Sequence, residues 1–291
     1  METRLTTLVS LDRSLGPDLL QVTAASDFAL IRGLIAGSGH NSSTLKALRG
    51  FAACTAGMQG WIAVGSGRLD EAEAYLRTSL RLAASIPDPE LNAYLTMQLA
   101  YQQCEAGAPA AALSLLSVPD LDTRDGQASA RTISALHAIA ARAYADLGDA
   151  NSHGRAMDAA HCALADDQGT PGTILNAWVN RAELELGAGA DMLRMGQPQQ
   201  ALQRFEAVPT GAIPLHDDLT FAVSYFAQLA TAYVEIGELS AAAQFAHRAQ
   251  DSLNLVHFTR GSREVARLRN TLMCYASVSE VRDFIDRSSS L

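Results

Sequence analysis

Glycine recurs along this chain at intervals of about 40 residues, with similar residues around each copy. The repeated glycines are Gly67, Gly107, Gly148, Gly196 and Gly237. Seven positions before each lies a very small residue: Gly60, Ala100, Ala141, Gly189 and Ala230. Nine positions after each lies an apolar residue: Leu76, Leu116, Met157, Phe205 and Ala246. A fixed period of this length predicts a repeated pair of helices that cannot bury its own apolar face and stacks on its neighbours.

The two small positions of each repeat have different predicted roles. We expect the glycine to follow the end of the first helix, where the backbone often adopts a left-handed conformation that glycine tolerates best. We expect the small residue to lie where the second helix crosses the first, because a bulky side chain there would push the two backbones apart.

The whole chain is predicted to be all-α. Apolar residues recur at spacings of three and four, and alternating β-branched segments are missing. We predict one solenoid of helical hairpins over residues 1–291, with N-terminal helices over 1–50, about five hairpins over 51–255 and capping helices over 256–291. Pro, Asp and Gly cluster between the hairpins at 87–89, 120–126, 166–172 and 209–214.

Composition and charge exclude several classes of protein. The formal net charge is -9 and no run of Lys or Arg is long enough to follow a phosphate backbone, so direct nucleic-acid binding is not expected. Charged residues interrupt the N-terminal segment, and no apolar stretch is long enough to span a membrane. The expected location is cytoplasmic.

No motif indicates a metal, a cofactor or a catalytic group. The four cysteines, Cys54, Cys104, Cys162 and Cys274, are far apart and are expected to be small buried residues. The glycine-rich stretch 187–191 has no strand before it, as a dinucleotide site requires. The expected cofactor and metal are therefore none.

The glycine pattern resembles the tetratricopeptide repeat (TPR), most clearly in LATAYVEIGELSAAAQFAHRA. The residues at consensus positions are Leu229, Ala230, Tyr233, Gly237, Ala242 and Ala249. This resemblance implies a right-handed superhelix whose first helices line a concave face. The period here is about 40 residues instead of about 34, which indicates longer helices or loops.

A narrower resemblance covers most of the chain from Leu5 onward. GWIAVGSGRLDEAEAYLRTSLRLA, LNAYLTMQLAYQQCEAGAPAAALSLL and SREVARLRNTLMCYASVSEVRDFIDR resemble the C-terminal repeat domain of actinobacterial helix-turn-helix regulators of the Xre type. In that family a short DNA-binding domain precedes the repeats, and no such segment precedes Leu5. The resemblance implies a sensor or interaction body without its DNA-binding domain.

The predicted concave face supplies the candidate binding residues. They are Trp61, Tyr94, Gln98, Tyr101, Arg142, Asn180 and Arg181, with Trp178 and Tyr225 near the edge. Aromatic rings among amides and two arginines suit a peptide or a flat small molecule, and the arginines favour a carboxylate or phosphate. In the alternative interpretation the aromatic residues only pack between repeats.

Three functions remain open at this level. The leading hypothesis is a non-catalytic, regulator-like module that holds a peptide, a small metabolite or a protein partner in a concave groove. A second is an enzyme of secondary metabolism whose substrate is enclosed in that groove, although the sequence places no catalytic group. A third is a structural adaptor or dimerisation module, including a homodimer.

Overall fold

A computed structural model of the protein describes residues 2–37, 39–117, 128–167, 176, 178–208 and 218–288. Over these residues the protein is helical and contains no strand, so the all-α prediction is confirmed. Among the helices described there, none combines the length and apolar character needed to cross a bilayer. The clusters at 120–126 and 209–214, and most of 166–172, lie outside the described residues.

The helices follow one another along the chain with short connections. They are α1 Glu2–Leu15, α2 Gln21–Ala36, α3 Ser42–Gly65, α4 Leu69–Ala83, α5 Pro89–Glu105, α6 Pro109–Leu116, α7 Ala130–Asp146, α8 Ala150–Ala165, α9 Arg181–Arg194, α10 Pro198–Glu206, α11 Leu219–Glu235, α12 Leu239–Leu253, α13 Thr259–Leu272 and α14 Ser279–Ser288. Short 3-10 turns at Pro17–Leu19 and Met273–Tyr275 separate α1 from α2 and α13 from α14.

The repeated glycines occupy the turns predicted for them. All five have a left-handed backbone, with φ from 69° at Gly196 to 85° at Gly237. The small residues also lie at helix crossings. A Cβ added to Gly189 would lie 2.4 Å from Cε1 of Phe205, and one added to Gly60 would lie 2.5 Å from Cγ of Leu76. The small position and the apolar position of one repeat therefore pack against each other, which is why their spacing recurs.

Consecutive helices pair, and the pairs pack side by side. The pairs are α3 with α4, α5 with α6, α7 with α8, α9 with α10 and α11 with α12. The first helix of each pair also contacts the first helix of the next, from α3 through α5, α7, α9 and α11 to α13. The odd-numbered helices therefore form a continuous inner layer.

The inner layer closes on itself. Helix α13 contacts α3, and α1 contacts both α3 and α11. The segments 1–50 and 256–291, predicted as N-terminal helices and capping helices, therefore contact each other. The sequence gives no local sign of this contact, because it arises from the accumulated curvature of the hairpins between the two segments.

Backbone and side-chain hydrogen bonds join the two ends. The His257 backbone N–H donates to the Leu15 carbonyl oxygen at 2.9 Å, and the Asp18 N–H donates to the His257 carbonyl oxygen at 3.3 Å. The carboxylate of Asp18 accepts hydrogen bonds from the backbone N–H and the hydroxyl of Thr259, at 2.9 Å and 2.8 Å. Asp18 thus caps the start of α13 from a distant part of the chain.

The cysteines differ from expectation. Cys104 is buried and Cys54 half-buried, and burial raises the pKa of each thiol to about 11. Cys162 and Cys274 are exposed, so the prediction of burial is wrong for these two. Cys162 lies on the outer helix α8 and Cys274 in the turn before α14, where only one side of the chain is covered.

Candidate functional site

The odd-numbered helices surround a cavity of about 360 Å³. Side chains of α1, α3, α5, α7, α9, α11 and α13 line it, together with Met157 of α8 and Trp178, which precedes α9. The volume is within the range of sites for small organic ligands. The first helix of each pair therefore faces the cavity.

Most of the candidate residues predicted from the sequence line this cavity. They are Trp61, Tyr94, Gln98, Tyr101, Arg142, Trp178 and Tyr225. Asn180 and Arg181 are exposed and do not line it, so the structure does not bring these two together with the other candidate residues. Helix α9 begins at Arg181, and the Asn180 side chain caps it by accepting a 3.1 Å hydrogen bond from the Glu183 N–H.

An aromatic and guanidinium cluster forms one part of the lining. The ring centroids of Trp61 and Tyr101 are 5.4 Å apart, and the Arg142 guanidinium carbon lies 4.6 Å from the Tyr101 centroid. Arg260 donates to the Tyr101 hydroxyl at 2.5 Å. Arg142 donates to Glu105 at 2.7 Å, and Arg260 lies 3.6 Å from the same carboxylate oxygen. Both guanidiniums therefore share one carboxylate.

Electrostatics favour the charged forms of this cluster. Burial opposes the charge of Glu105, but the guanidiniums of Arg142 and Arg260 outweigh it and hold the pKa of Glu105 below its ordinary value. Burial likewise opposes the charge of Arg142, but Tyr101 and Glu105 outweigh it and raise the pKa of Arg142. The cluster is therefore a partly buried ion pair with an aromatic face.

Further ion pairs connect this cluster to neighbouring helices. Asp146 lies 3.9 Å from Nε of Arg142 and 3.2 Å from Nε of Arg194. Arg194 also lies 3.3 Å from Asp191, whose second oxygen lies 3.3 Å from Nε2 of His153. Ionisable side chains of α5, α7, α8 and α9 are thus linked in one chain of contacts beside the cavity.

A second part of the lining is acidic. Asp12 is 8% exposed, and its Oδ2 accepts a 3.1 Å hydrogen bond from the Trp61 indole N–H. Burial is the main cause that raises the pKa of Asp12 to about 6 and that of Glu183 to about 7, and the charge of Asp218 adds to both shifts. Burial also raises the pKa of Asp218, which lies 3.5 Å from Nε of Arg13.

Several buried polar atoms around the cavity have no hydrogen-bond partner among the described residues. They are Asp12 Oδ1, Gln98 Oε1, Arg142 Nε, Ser224 Oγ, Arg260 Nε and Glu264 Oε2. Buried polar atoms in proteins are usually hydrogen-bonded, and each unmet one costs free energy. Their concentration at one cavity indicates that the lining is suited to a ligand with polar groups.

Some of these residues could have been found from the sequence and others could not. Glu105 is four residues after Tyr101 on α5 and continues the stripe of Tyr94, Gln98 and Tyr101. Asp12 and Arg260, together with Arg13 and Glu264, come from the two terminal regions, which reach the cavity only because the inner layer closes. Among the residues that the structure describes, no group of three or more His, Cys, Asp or Glu side chains is placed to hold a metal ion.

The fold and the cavity together define an all-α protein with a cavity lined by aromatic and charged side chains. No protein-family model matches the chain, and no curated protein matches it at a significant level. The chain is similar to the crystal structure of BtubC (BKLC) from P. vanneervenii, with 15% identity and a TM-score of 0.46 over 81% of this chain and 90% of that one. A likeness this distant carries no argument about function.

Proposed function

We propose that the protein is a non-catalytic binding module that holds a small molecule in its central cavity. Its architecture would be a TPR-like helical solenoid whose two terminal segments contact each other. The observation that carries this proposal is the concentration of aromatic rings and unpartnered buried polar atoms around one cavity of about 360 Å³. A peptide or a protein partner fits less well, because a cavity of about 360 Å³ has the volume of a site for a small organic ligand.

The position of the cavity suggests how binding is transmitted. A ligand that contacts Asp12, Tyr101 and Arg260 touches α1, α5 and α13 at once. Such a ligand stabilises the closed arrangement over any arrangement in which the terminal segments separate, and so shifts the population toward closure. A partner protein or a second copy of the chain would then recognise the change in the population of the closed arrangement. This fits the sensor role implied by the resemblance to Xre-type regulators and a location in the cytoplasm.

Intrinsic fluorescence provides a direct test, because the two tryptophans of the chain, Trp61 and Trp178, both line the cavity. Native mass spectrometry of protein purified from its own host would identify a retained compound. That compound is then titrated back into ligand-free protein while tryptophan emission is followed. We expect a saturable change in emission.

A blocking variant and its control make the test specific to the cavity. A Cβ added to the cavity-lining Gly187 would meet no other atom within 4 Å, so Gly187→Phe places a ring in open space. We expect Gly187→Phe to weaken binding by at least about tenfold and Gly187→Ala to retain it. Equal affinity in a folded Gly187→Phe protein would place the ligand elsewhere.

An enzyme is the second candidate, and one observation favours it. The pKa values of Asp12 and Glu183, about 6 and about 7, are those of a carboxyl group suited to proton transfer near neutral pH. The two candidates differ in what becomes of the ligand. Recovery of the compound chemically unchanged after long incubation supports the binding module, whereas conversion that is lost in Glu183→Gln supports the enzyme.

A further inference from the structure

Every guanidinium of the cavity lining already has a carboxylate partner. Arg142 and Arg260 share Glu105, and Arg13 lies 3.5 Å from Asp218. Arg194 lies between Asp146 and Asp191. An anionic ligand would have to displace one of these carboxylates and would leave it buried beside the new negative charge. The arginines, which on sequence grounds favour a carboxylate or phosphate ligand, are thus neutralised within the protein.

Two carboxyl groups of the lining lack such a partner. Neither Asp12 nor Glu183 forms an ion pair with any described side chain. Asp12 is held in place by the Trp61 N–H at one oxygen, while its other oxygen, Oδ1, is buried and accepts no hydrogen bond within the described part of the chain. Only 8% of Asp12 is exposed, and a buried acceptor without a partner costs free energy that a donor group of a ligand in the cavity would recover.

The surroundings of Asp12 suit a cation with an apolar body. Trp61, whose indole N–H binds Asp12, also lines the cavity with its ring, and Tyr94 and Trp178 contribute further aromatic surface. The faces of aromatic rings attract cations, most strongly where water is excluded. Asp218 adds a third carboxyl group near Asp12 and Glu183, and only Arg13 forms an ion pair with it among the described residues.

From these contacts we infer that the ligand is a small organic amine, with a protonated nitrogen bound at Asp12 Oδ1 and an aromatic or apolar body against Trp61 and Tyr101. This inference rests on the proposed function and assigns a chemical class to its ligand. Glu183 and Asp218 supply the remaining negative charge around the ammonium group, while Arg142 and Arg260 stay with Glu105 at the other part of the lining.

If the ligand is an amine, its affinity should depend on pH. The pKa values of about 6 for Asp12 and about 7 for Glu183 leave both groups partly protonated near neutral pH in the free protein. An ammonium group binds the ionised carboxylate, so binding an amine releases protons and strengthens as pH rises. The groups that act on Asp12 are the Trp61 N–H, the carboxylate of Asp218, whose own pKa burial raises, and the guanidiniums of Arg260 and Arg13.

Three probes with the same body and different head groups test the inference: 4-phenylbutylamine, 4-phenylbutanol and 4-phenylbutyrate. Each is titrated into the full chain while the emission of Trp61 and Trp178 is followed with excitation that the phenyl group does not absorb. We expect the amine to bind at least about tenfold more tightly than the alcohol, and the acid to bind more weakly than the alcohol. Affinity for the amine should increase from about pH 5 to about pH 8, and affinity for the alcohol should not change.

Matched variants locate the head group. Asp12→Asn should reduce the affinity for the amine to that for the alcohol, whereas Asp70→Asn, which alters an exposed carboxyl group on α4, should leave the preference intact. Thermal melts establish that each variant is folded, and Glu183→Gln serves as a second variant. If the acid binds most tightly, or if the preference survives in Asp12→Asn, the inference is overturned while the binding function stands. If the amine does not bind, the inference is overturned, and titration of the retained compound into the parent protein and Gly187→Phe decides the binding function separately.

Discussion

The crossing of α9 and α10 offers a quantitative test of how the hairpins pack. Gly189 is buried in α9, and a Cβ placed on it would lie 2.4 Å from Cε1, 2.7 Å from Cδ1 and 2.9 Å from Cζ of Phe205. The Phe205 ring is 2% exposed and has Tyr225 on another side, with ring centroids 6.0 Å apart, so it cannot move aside freely. The variant Gly189→Ala should therefore overpack the crossing.

The magnitude follows from two opposing effects. Overpacking of a tight core costs about 1–3 kcal/mol, and a contact this short places the cost in the upper part of that range. Replacing glycine by alanine inside a helix stabilises the folded protein by about 1 kcal/mol through helix propensity. The expected net loss in the free energy of unfolding is about 1–2 kcal/mol, which lowers the melting temperature by roughly 2–6 °C.

Gly187→Ala is the matched control on the same helix. Its new Cβ meets no other atom within 4 Å, so only the gain in helix propensity remains and the melting temperature should rise slightly. Thermal and urea unfolding followed by circular dichroism measure both variants. Adding Phe205→Leu to Gly189→Ala should recover part of the loss, because the two positions share one contact. Equal shifts for Gly189→Ala and Gly187→Ala would refute the packing assigned to the small position.

Three further predictions concern the closure and the charges of the cavity. Asp18→Ala removes both hydrogen bonds to Thr259 at the start of α13 and should cost about 1–2 kcal/mol, with faster amide exchange there; exchange unchanged from the parent protein would contradict the role of Asp18. Glu105→Gln leaves the Arg142 guanidinium without its nearest carboxylate and should cost about 3 kcal/mol in urea unfolding, whereas a neutral effect would show that the pair is not held as described. The pKa values of Asp12 and Glu183 are raised in the folded protein, to about 6 and about 7, so their contribution to stability is complete at acid pH and is lost as pH rises through those values. Thermal melts should show that Asp12→Asn removes part of this loss between about pH 4 and about pH 6, and an identical pH profile would contradict the burial of Asp12.

Local chemistry explains which parts of the fold were predictable. The five turn glycines and the small residues before them were predicted because both roles depend on neighbours within one hairpin. The stripe of Tyr94, Gln98 and Tyr101 was predictable for the same reason, since residues three and four apart share a helix face. Asn180 and Arg181 were misplaced because the start of α9 depends on a cap that the apolar pattern alone does not reveal.

The closure of the inner layer could not be predicted from such patterns. The hydrogen bonds between Asp18 and Thr259 join residues 241 positions apart, and nothing in either segment alone specifies the other. The rotation between successive hairpins, accumulated over the whole stack, decides whether the ends meet. Asp12 and Arg260 therefore become cavity residues only through the tertiary structure, although each belongs to a helix that the sequence predicts.

The central claim is that the closed inner layer forms a binding site, and a crystal structure of the protein with 4-phenylbutylamine tests it most directly. We expect electron density for the probe inside the cavity, with its nitrogen within hydrogen-bond distance of Asp12 Oδ1 and its ring beside Trp61. Density for the probe on the outer helices, with the cavity filled by rearranged side chains, would contradict the claim that the cavity is a binding site.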